Sequence, residues 1–300
     1  MARDLQTIKA KYMLNCEKEN TMPELPEVET IKNTVAQFVS GAEILNAQVR
    51  QPKLRESVPA DFAKRIRGAR IIGLRRIAKY MLMDLDNGLT IIWHFGMSGK
   101  IKIESVLPNE SDKHDHIVLK TDKGVLIYND PRRFGIVTLC ESDKLRQHHC
   151  FKHIGLDPWD ANLTADYLHA KLANRKCAIK LALLNQEIIC GIGNIYASEI
   201  LYRARIRPER SSESVTLKEA AALIENTRIV LQEAINAGGS TIHDYQRPDG
   251  DIGYFQEQHC VYDKTGQRCP DCRCNIAKTG GIKRIVQGGR STFYCPVLQK

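Results

Sequence analysis

The sequence predicts an α+β protein of several domains. A β-sandwich with flanking helices comes first, a helical unit follows, and a small cysteine-bearing module closes the chain. Three observations carry this. From about Ala42 to Leu139, short apolar runs alternate with turn residues and helical stretches are few. From residue 164 the apolar spacing changes to the helical period. Four cysteines, Cys269, Cys272, Cys274 and Cys295, crowd the C-terminus. A length of 300 residues suits two domains and an ample core.

Residues 1–21 carry Arg3, Lys9, Lys11 and Lys18 against Asp4, Glu17 and Glu19. With no apolar stretch and no small-residue cleavage site they are not a secretory signal, and they are too acidic for a transit peptide. They read as an upstream misassigned start rather than a real extension. Residues 24–39 read as an amphipathic helix bearing Val28, Ile31, Val35 and Phe38. Proline at its first turn loses no hydrogen bond, and Glu24 suits the helix dipole. Strands are predicted at Ile71–Leu74, Tyr80–Met83, Thr90–Trp93, Ile117–Leu119 and Val125–Tyr128. Asp86-Asn87-Gly88 and Asp122-Lys123-Gly124 are the hairpin turns between them. Many strands and few helices suggest a β-sandwich.

A boundary is expected near 150–160, around Gly155-Leu156-Asp157-Pro158. Helices are predicted at 164–175, 177–185, 194–204 and 216–236, the last stopped by Gly238-Gly239. A polar stretch then runs to Gln258. The expected domains are therefore 22–150, 151–259 and 260–300, after the 1–21 extension.

Composition narrows the function. Forty-four basic residues against thirty-five acidic ones leave a net charge of +9, which fits a polyanionic partner. No apolar run approaches the roughly 18 residues of a transmembrane helix, so no membrane role is expected. Of ten cysteines, Cys16, Cys140, Cys150, Cys177, Cys190 and Cys260 are scattered, and most read as small buried apolar residues. Without a secretion signal the C-terminal four read as a metal knuckle rather than a disulfide framework.

The chemistry starts at Met22-Pro23-Glu24-Leu25-Pro26-Glu27-Val28-Glu29-Thr30. If Met22 is the start and is trimmed, Pro23 is a free secondary amine beside an acid. If residues 1–21 stay attached, its nitrogen is a tertiary amide and cannot attack. This string resembles the N-terminus of the bacterial formamidopyrimidine-DNA glycosylase family, which repairs oxidised purines. Further strings match that family in order. They are Arg75-Arg76-Ile77-Ala78-Lys79-Tyr80, His94-Phe95-Gly96-Met97-Ser98-Gly99 and Lys113-His114-Asp115-His116. Asp130-Pro131-Arg132-Arg133-Phe134-Gly135, Gly191-Ile192-Gly193-Asn194-Ile195-Tyr196-Ala197-Ser198-Glu199 and Gly289-Arg290-Ser291-Thr292-Phe293-Tyr294-Cys295 follow. The resemblance covers residues 22–300. It implies a β-sandwich, a helix–two-turn–helix domain and a zinc-finger-like β-hairpin.

The resemblance also implies roles. A base must leave the duplex stack before its glycosidic bond is reached. Pro23 would attack C1′, expel the base and leave an imine that permits strand elimination. A free α-amine has an unperturbed pKa of about 7.7–8, a prolyl amine somewhat higher, and neighbouring cations lower it. Glu24 would protonate the sugar ring oxygen and shuttle protons. Lys79, otherwise a solvated charge, would be the general acid of the first elimination. Arg290, at a hairpin tip, would assist the second and grip phosphate. Met97, Arg132 and Phe134 resemble the family's intercalating trio, with Arg132 reading the orphaned base. Alone, Met97 and Phe134 would be read as core, but Gly96, Gly99 and Gly135 favour exposed loops. Lys176 and Asn194 resemble phosphate ligands, Asn194 opening a helix after a glycine-rich turn. His114 matches a DNA-contacting histidine, and His-Asp-His offers too few ligands for a metal.

The knuckle departs from the family pattern. Cys269 and Cys272 form its first pair, but Cys295 is followed by Leu298 where the fourth thiol is expected. Cys274 substituting, water completing the shell, or no zinc at all remain open, with one zinc ion favoured. The expected protein is a bifunctional glycosylase and abasic-site lyase, monomeric, acting in the bacterial cytoplasm on damaged double-stranded DNA. If the extension stays, the alternative is a lesion- or abasic-site-binding protein without catalysis. The related endonuclease VIII type, for oxidised pyrimidines, is disfavoured by Leu25 and by the complete Asp-Pro-Arg-Arg-Phe-Gly string.

Overall fold

The computed structural model describes residues 22–110, 112–240, 254–273 and 275–300. The expectations for residues 1–21, for the stretch between Ser240 and Tyr254 and for Cys274 lie outside the described residues. Helix α1 spans Leu25–Val39, close to expectation. Its apolar side chains serve two cores. Leu25 packs among residues of the helical unit, whereas Val28, Ile31, Val35 and Val39 pack into the sandwich. The first turn of α1 is thereby held at the junction of the two.

The sandwich consists of two four-stranded antiparallel sheets. One has the order β2 (Ile71–Ile77), β3 (Tyr80–Leu85), β4 (Leu89–His94), β8 (Ile136–Glu141). The other runs β1 (Ile44–Val49), β6 (Asp115–Thr121), β7 (Gly124–Asn129), β5 (Lys100–Glu104). Met81, Met83, Ile91 and Trp93 face Ile117, Leu119, Leu126 and Tyr128 across the core. The alternate positions Leu82 and Ile92 face the other way and are covered by Leu145 and Phe151. Strand β4 is therefore buried along its whole length. Both predicted hairpin turns form. Strands β1, β5 and β8 and the short helix α2 (Phe62–Ile66) were not individually predicted.

The helical unit contains α3 (Ala165–Leu172), α4 (Ile179–Leu183), α5 (Asn194–Arg203) and α6 (Leu217–Asn236). Thr164 caps α3 through its Oγ1, which accepts the Tyr167 N–H at 3.1 Å. Thr216 and Glu219 form the capping box of α6. The predicted helices 164–175 and 177–185 are shorter than expected. The intervening residues turn, with Arg175 N–H donating to Leu172 O and Ile179 N–H to Arg210 O. No helix among the described residues is long and apolar enough to cross a membrane.

Two further short helices, α7 (Phe255–Gln258) and α8 (Ile276–Thr279), precede the β9 (Lys283–Gln287) and β10 (Arg290–Tyr294) hairpin. Among the described residues this C-terminal module forms no separate core. Ile282, Phe293 and the three cysteines Cys269, Cys272 and Cys295 join the core of the helical unit. Arg76 fastens the two halves, its Nε 2.8 Å from Glu29 on α1 and its Nη2 3.0 Å from Asp157.

Candidate active site

A cavity of about 560 Å³ opens where the Met22–Glu24 segment, the β2–β3 turn, the α5 N-terminus and the β9–β10 turn converge. Met22, Glu24, Lys79, Met97, Asn194 and Arg290 all line it. Pro23 is buried between Met22 and Glu24. Five of the predicted site residues thus meet at one place although the sequence separates them widely.

Glu24 is the best-anchored of them. Its Oε2 accepts the Gly193 N–H at 2.7 Å and its Oε1 the Ile195 N–H at 2.9 Å, at the open N-terminus of α5. Gly193 is required there, because a Cβ at that position would lie 2.3 Å from the Glu24 carboxyl carbon. Burial pushes the Glu24 pKa up to about 7, against the pull of Lys79 and the α5 N–H groups, with Glu27 adding to the rise. A carboxyl poised near neutrality can both give and take a proton. Lys79 sits in the tight turn joining β2 to β3. Ala78 beside it has φ 52°. Lys79 is 7 % exposed, and burial lowers its pKa while Glu24 opposes and Arg290 reinforces the shift. Arg290 follows the Gly288-Gly289 turn and is exposed.

Behind Glu24 lies Glu27. It accepts the Glu24 N–H at 2.9 Å, the Tyr196 hydroxyl at 2.5 Å and the Ser240 N–H at 2.8 Å. Burial raises its pKa. Glu27→Ala strands these donors in the interior. It is expected to lower unfolding free energy by on the order of 3 kcal/mol, measured by urea denaturation.

The three wedge candidates occupy adjoining loops. Phe134 is 45 % exposed, which rules out the core reading for it. The Arg132 guanidinium carbon lies 4.8 Å from the centre of its ring. Met97 is half-buried and faces the cavity. Asp130 ties the loops together, accepting from Ser98 Oγ at 2.6 Å, Tyr128 OH at 3.2 Å and Gly135 N at 2.9 Å. Gly96, Gly99 and Gly135 are buried, so close packing rather than exposure explains them. At Gly96, with φ 58°, a Cβ would fall 2.5 Å from the Phe134 carbonyl carbon.

The remaining predicted residues lie apart or are otherwise engaged. Asn194 opens α5 as expected, but its amide is used internally. Its Oδ1 accepts from Lys180 Nζ at 2.7 Å, and its Nδ2 donates to Ser291 O at 3.0 Å. Lys176 is exposed before α4 and His114 half-buried before β6, neither of them lining the cavity. Beside His114, Asp115 is held by Lys102 Nζ and Asn129 Nδ2, both at 2.8 Å.

Cys269, Cys272 and Cys295 are buried, with their Sγ atoms all within 4.8 Å of one another. Three such thiols can hold a metal ion. Leu298, at the expected fourth position, packs against the helical core. Gln299 secures this turn instead, accepting the Cys295 N–H at 2.7 Å. Of the scattered cysteines, Cys190 and Cys260 are buried as expected. Cys140 and Cys150 are half-buried and Cys177 is exposed, contrary to the buried reading.

Two family models match the chain. The formamidopyrimidine-DNA glycosylase N-terminal domain matches residues 22–137, and the H2TH domain of the same family matches residues 154–246. The formamidopyrimidine-DNA glycosylase of Rhodospirillum rubrum is 43 % identical over 281 residues, covering 93 % of this chain and all of its own. That of Novosphingobium aromaticivorans is 45 % identical with the same coverage. The chain belongs to the formamidopyrimidine-DNA glycosylase family. A Lactococcus lactis glycosylase solved with Fapy-dG-containing DNA superposes at a TM-score of 0.84 and 32 % identity, over 93 % of this chain and all of that one. The same bacterium's enzyme with abasic-site DNA also matches at 0.84.

Within this family fold, the residues that motif reading missed are those that brace the site. Glu27 and Tyr196 stand behind Glu24. Lys180 is fully buried, donating to Asn194 Oδ1, Ser291 O at 2.9 Å and Thr292 Oγ1 at 2.7 Å. It thereby joins the start of α5 to the strand that carries Arg290. A single charge inside the apolar run Ala178–Leu184 was the available signal.

Proposed function

We propose that this chain excises oxidised purines, 8-oxoguanine and formamidopyrimidines, from duplex DNA and cuts the strand by β,δ-elimination through an imine on Pro23. Supporting this reading is the convergence on one cavity of Glu24, Lys79 and Arg290 beside the Met22-Pro23 segment. Pro23 nitrogen attacks C1′, and the C1′–N bond breaks with its electron pair leaving on the base. Glu24 protonates the ring oxygen as the sugar opens. Loss of a C2′ proton expels the 3′ phosphate, with Lys79 as acid. A second elimination, assisted by Arg290, releases the 5′ phosphate. Met97, Arg132 and Phe134 fill and read the space left by the extruded nucleotide. His114, Lys176 and the N-terminal end of α5 at Asn194 engage phosphate.

Duplexes carrying 8-oxoguanine are expected to be nicked with a phosphate on both ends, and faster than duplexes carrying thymine glycol. Absence of nicking by a preparation starting at Pro23 refutes the proposal. Gly193→Ala, which pushes the Glu24 carboxyl aside, is expected to slow base release by on the order of 10²-fold with little change in DNA affinity. Single-turnover kinetics beside fluorescence anisotropy separate the two.

We further propose that Cys269, Cys272 and Cys295 bind one zinc ion, completed by Cys274 or water. Zinc there would supply folding energy to the hairpin that presents Arg290. Chelation is expected to lower the melting temperature and weaken DNA binding. Native mass spectrometry should find one zinc per chain, and a metal-free native mass overturns this assignment. The chain is expected to act as a monomer in the bacterial cytoplasm, where the chromosome lies.

A further inference from the structure

We infer that His148, His149 and Cys150, with the Glu56 carboxylate against His149, form a second metal site, for a soft divalent cation of the zinc class, on the wall of the cavity. The chain turns sharply after Ser142–Gln147, with Phe151 N–H and Lys152 N–H both donating to His148 O. This turn gathers three consecutive side chains. One donor atom from each of His148, His149 and Cys150 lies within 4.8 Å of the others. Phe151 anchors the turn, buried and edge-on to Tyr80 at 5.1 Å.

The separations about His149 match the edges of a coordination shell. His149 Nε2 lies 3.5 Å from Cys150 Sγ and 3.0 and 3.2 Å from the two carboxylate oxygens of Glu56. Metal–sulfur and metal–nitrogen bonds of about 2.3 and 2.0–2.1 Å put tetrahedral N···S and N···O edges near 3.5 and 3.4 Å. An exposed His149–Glu56 contact alone contributes little to stability. Imidazole with thiolate selects zinc-like ions over magnesium or calcium. His148, whose Nδ1 accepts the Cys150 N–H at a long 3.3 Å, supplies the fourth donor on releasing that bond, or water does. Binding transfers the Cys150 thiol proton to solvent and forms the metal–sulfur bond. Because Cys150 also lines the cavity with Lys79 and Glu24, the ion would sit at its edge.

The test does not use enzymatic activity and so stands apart from the catalytic reading. The full chain is first loaded with a single equivalent of zinc, taken by the C-terminal cysteines, and then titrated with Co²⁺. An additional equivalent with a sulfur-to-cobalt charge-transfer band is expected. Cys150→Ser should abolish that band. His149→Ala and Glu56→Gln, both at exposed positions, should weaken uptake by at least about tenfold, the scale on which even outer-shell changes act. Circular dichroism checks that each variant is folded. Equal metal uptake by the full chain and Cys150→Ser, or no additional equivalent in the full chain, overturns the site.

Discussion

Borohydride is expected to capture a covalent complex between 8-oxoguanine DNA and a chain beginning at Pro23, and none with residues 1–22 attached. A proline nitrogen acylated by the preceding residue has its lone pair in the amide and forms no imine. Loss of a nucleophile is among the largest effects a single change produces, here on the order of 10⁴-fold or more in trapping rate. The longer form still presents the loops of Met97, Arg132 and Phe134, so salt-dependent DNA binding is expected to persist. Pro23→Gly in the shortened chain should lose the trapped complex. Intact mass of the purified protein identifies its first residue. Equal trapping by the two forms would rule out Pro23 as the attacking group.

Glu24→Gln carries the next largest expected effect. The glutamine keeps an oxygen for the α5 N–H groups but cannot deliver a proton to the sugar. Base release should fall by about 10²- to 10⁴-fold. Cutting at a preformed abasic site, where no base remains to be expelled, should fall less. The pH dependence has a definite sign. With a carboxyl pKa raised to about 7, the acid form predominates below neutrality, so the Glu24 contribution to base release declines as pH rises through 7, against the rise that comes as the Pro23 amine loses its proton. Stability follows the same direction. The folded state binds this proton more tightly than the unfolded chain, whose value is 4.5. The resulting stabilisation is full below about 4.5 and is lost as pH rises towards 7. Glu24→Gln should flatten that slope in urea denaturation measured across the range. An unchanged rate of base release in Glu24→Gln would remove it as the acid.

Much of this was legible along the chain. Helices α1, α5 and α6 were placed nearly to the residue, because their apolar periodicity and their caps agree. Strands β3, β4 and β7 were found because apolar runs end at clear turns. Strand β1 was missed because Ile44–Val49 contains Asn46 and Gln48, which face outward at one edge of its sheet. Strand β5, with three of five positions charged, lies at the other edge. The C-terminal module was read as separate from its cysteines. Its apolar residues complete the helical core, a fact that local spacing does not encode.

The amino-acid order by itself determined the chemical inventory: an amine-capable proline next to a glutamate, a lysine after β2, an arginine in a hairpin and three spaced thiols. Tertiary structure decided what those groups can do. The acidity of Glu24 follows from burial at the start of a helix begun 170 residues later, and that of Lys79 from its own burial, reinforced by Arg290 and opposed by Glu24. Desolvation and charge proximity depend on distances in space. Those distances arise when two cores close on one helix turn, which no local pattern in the chain specifies.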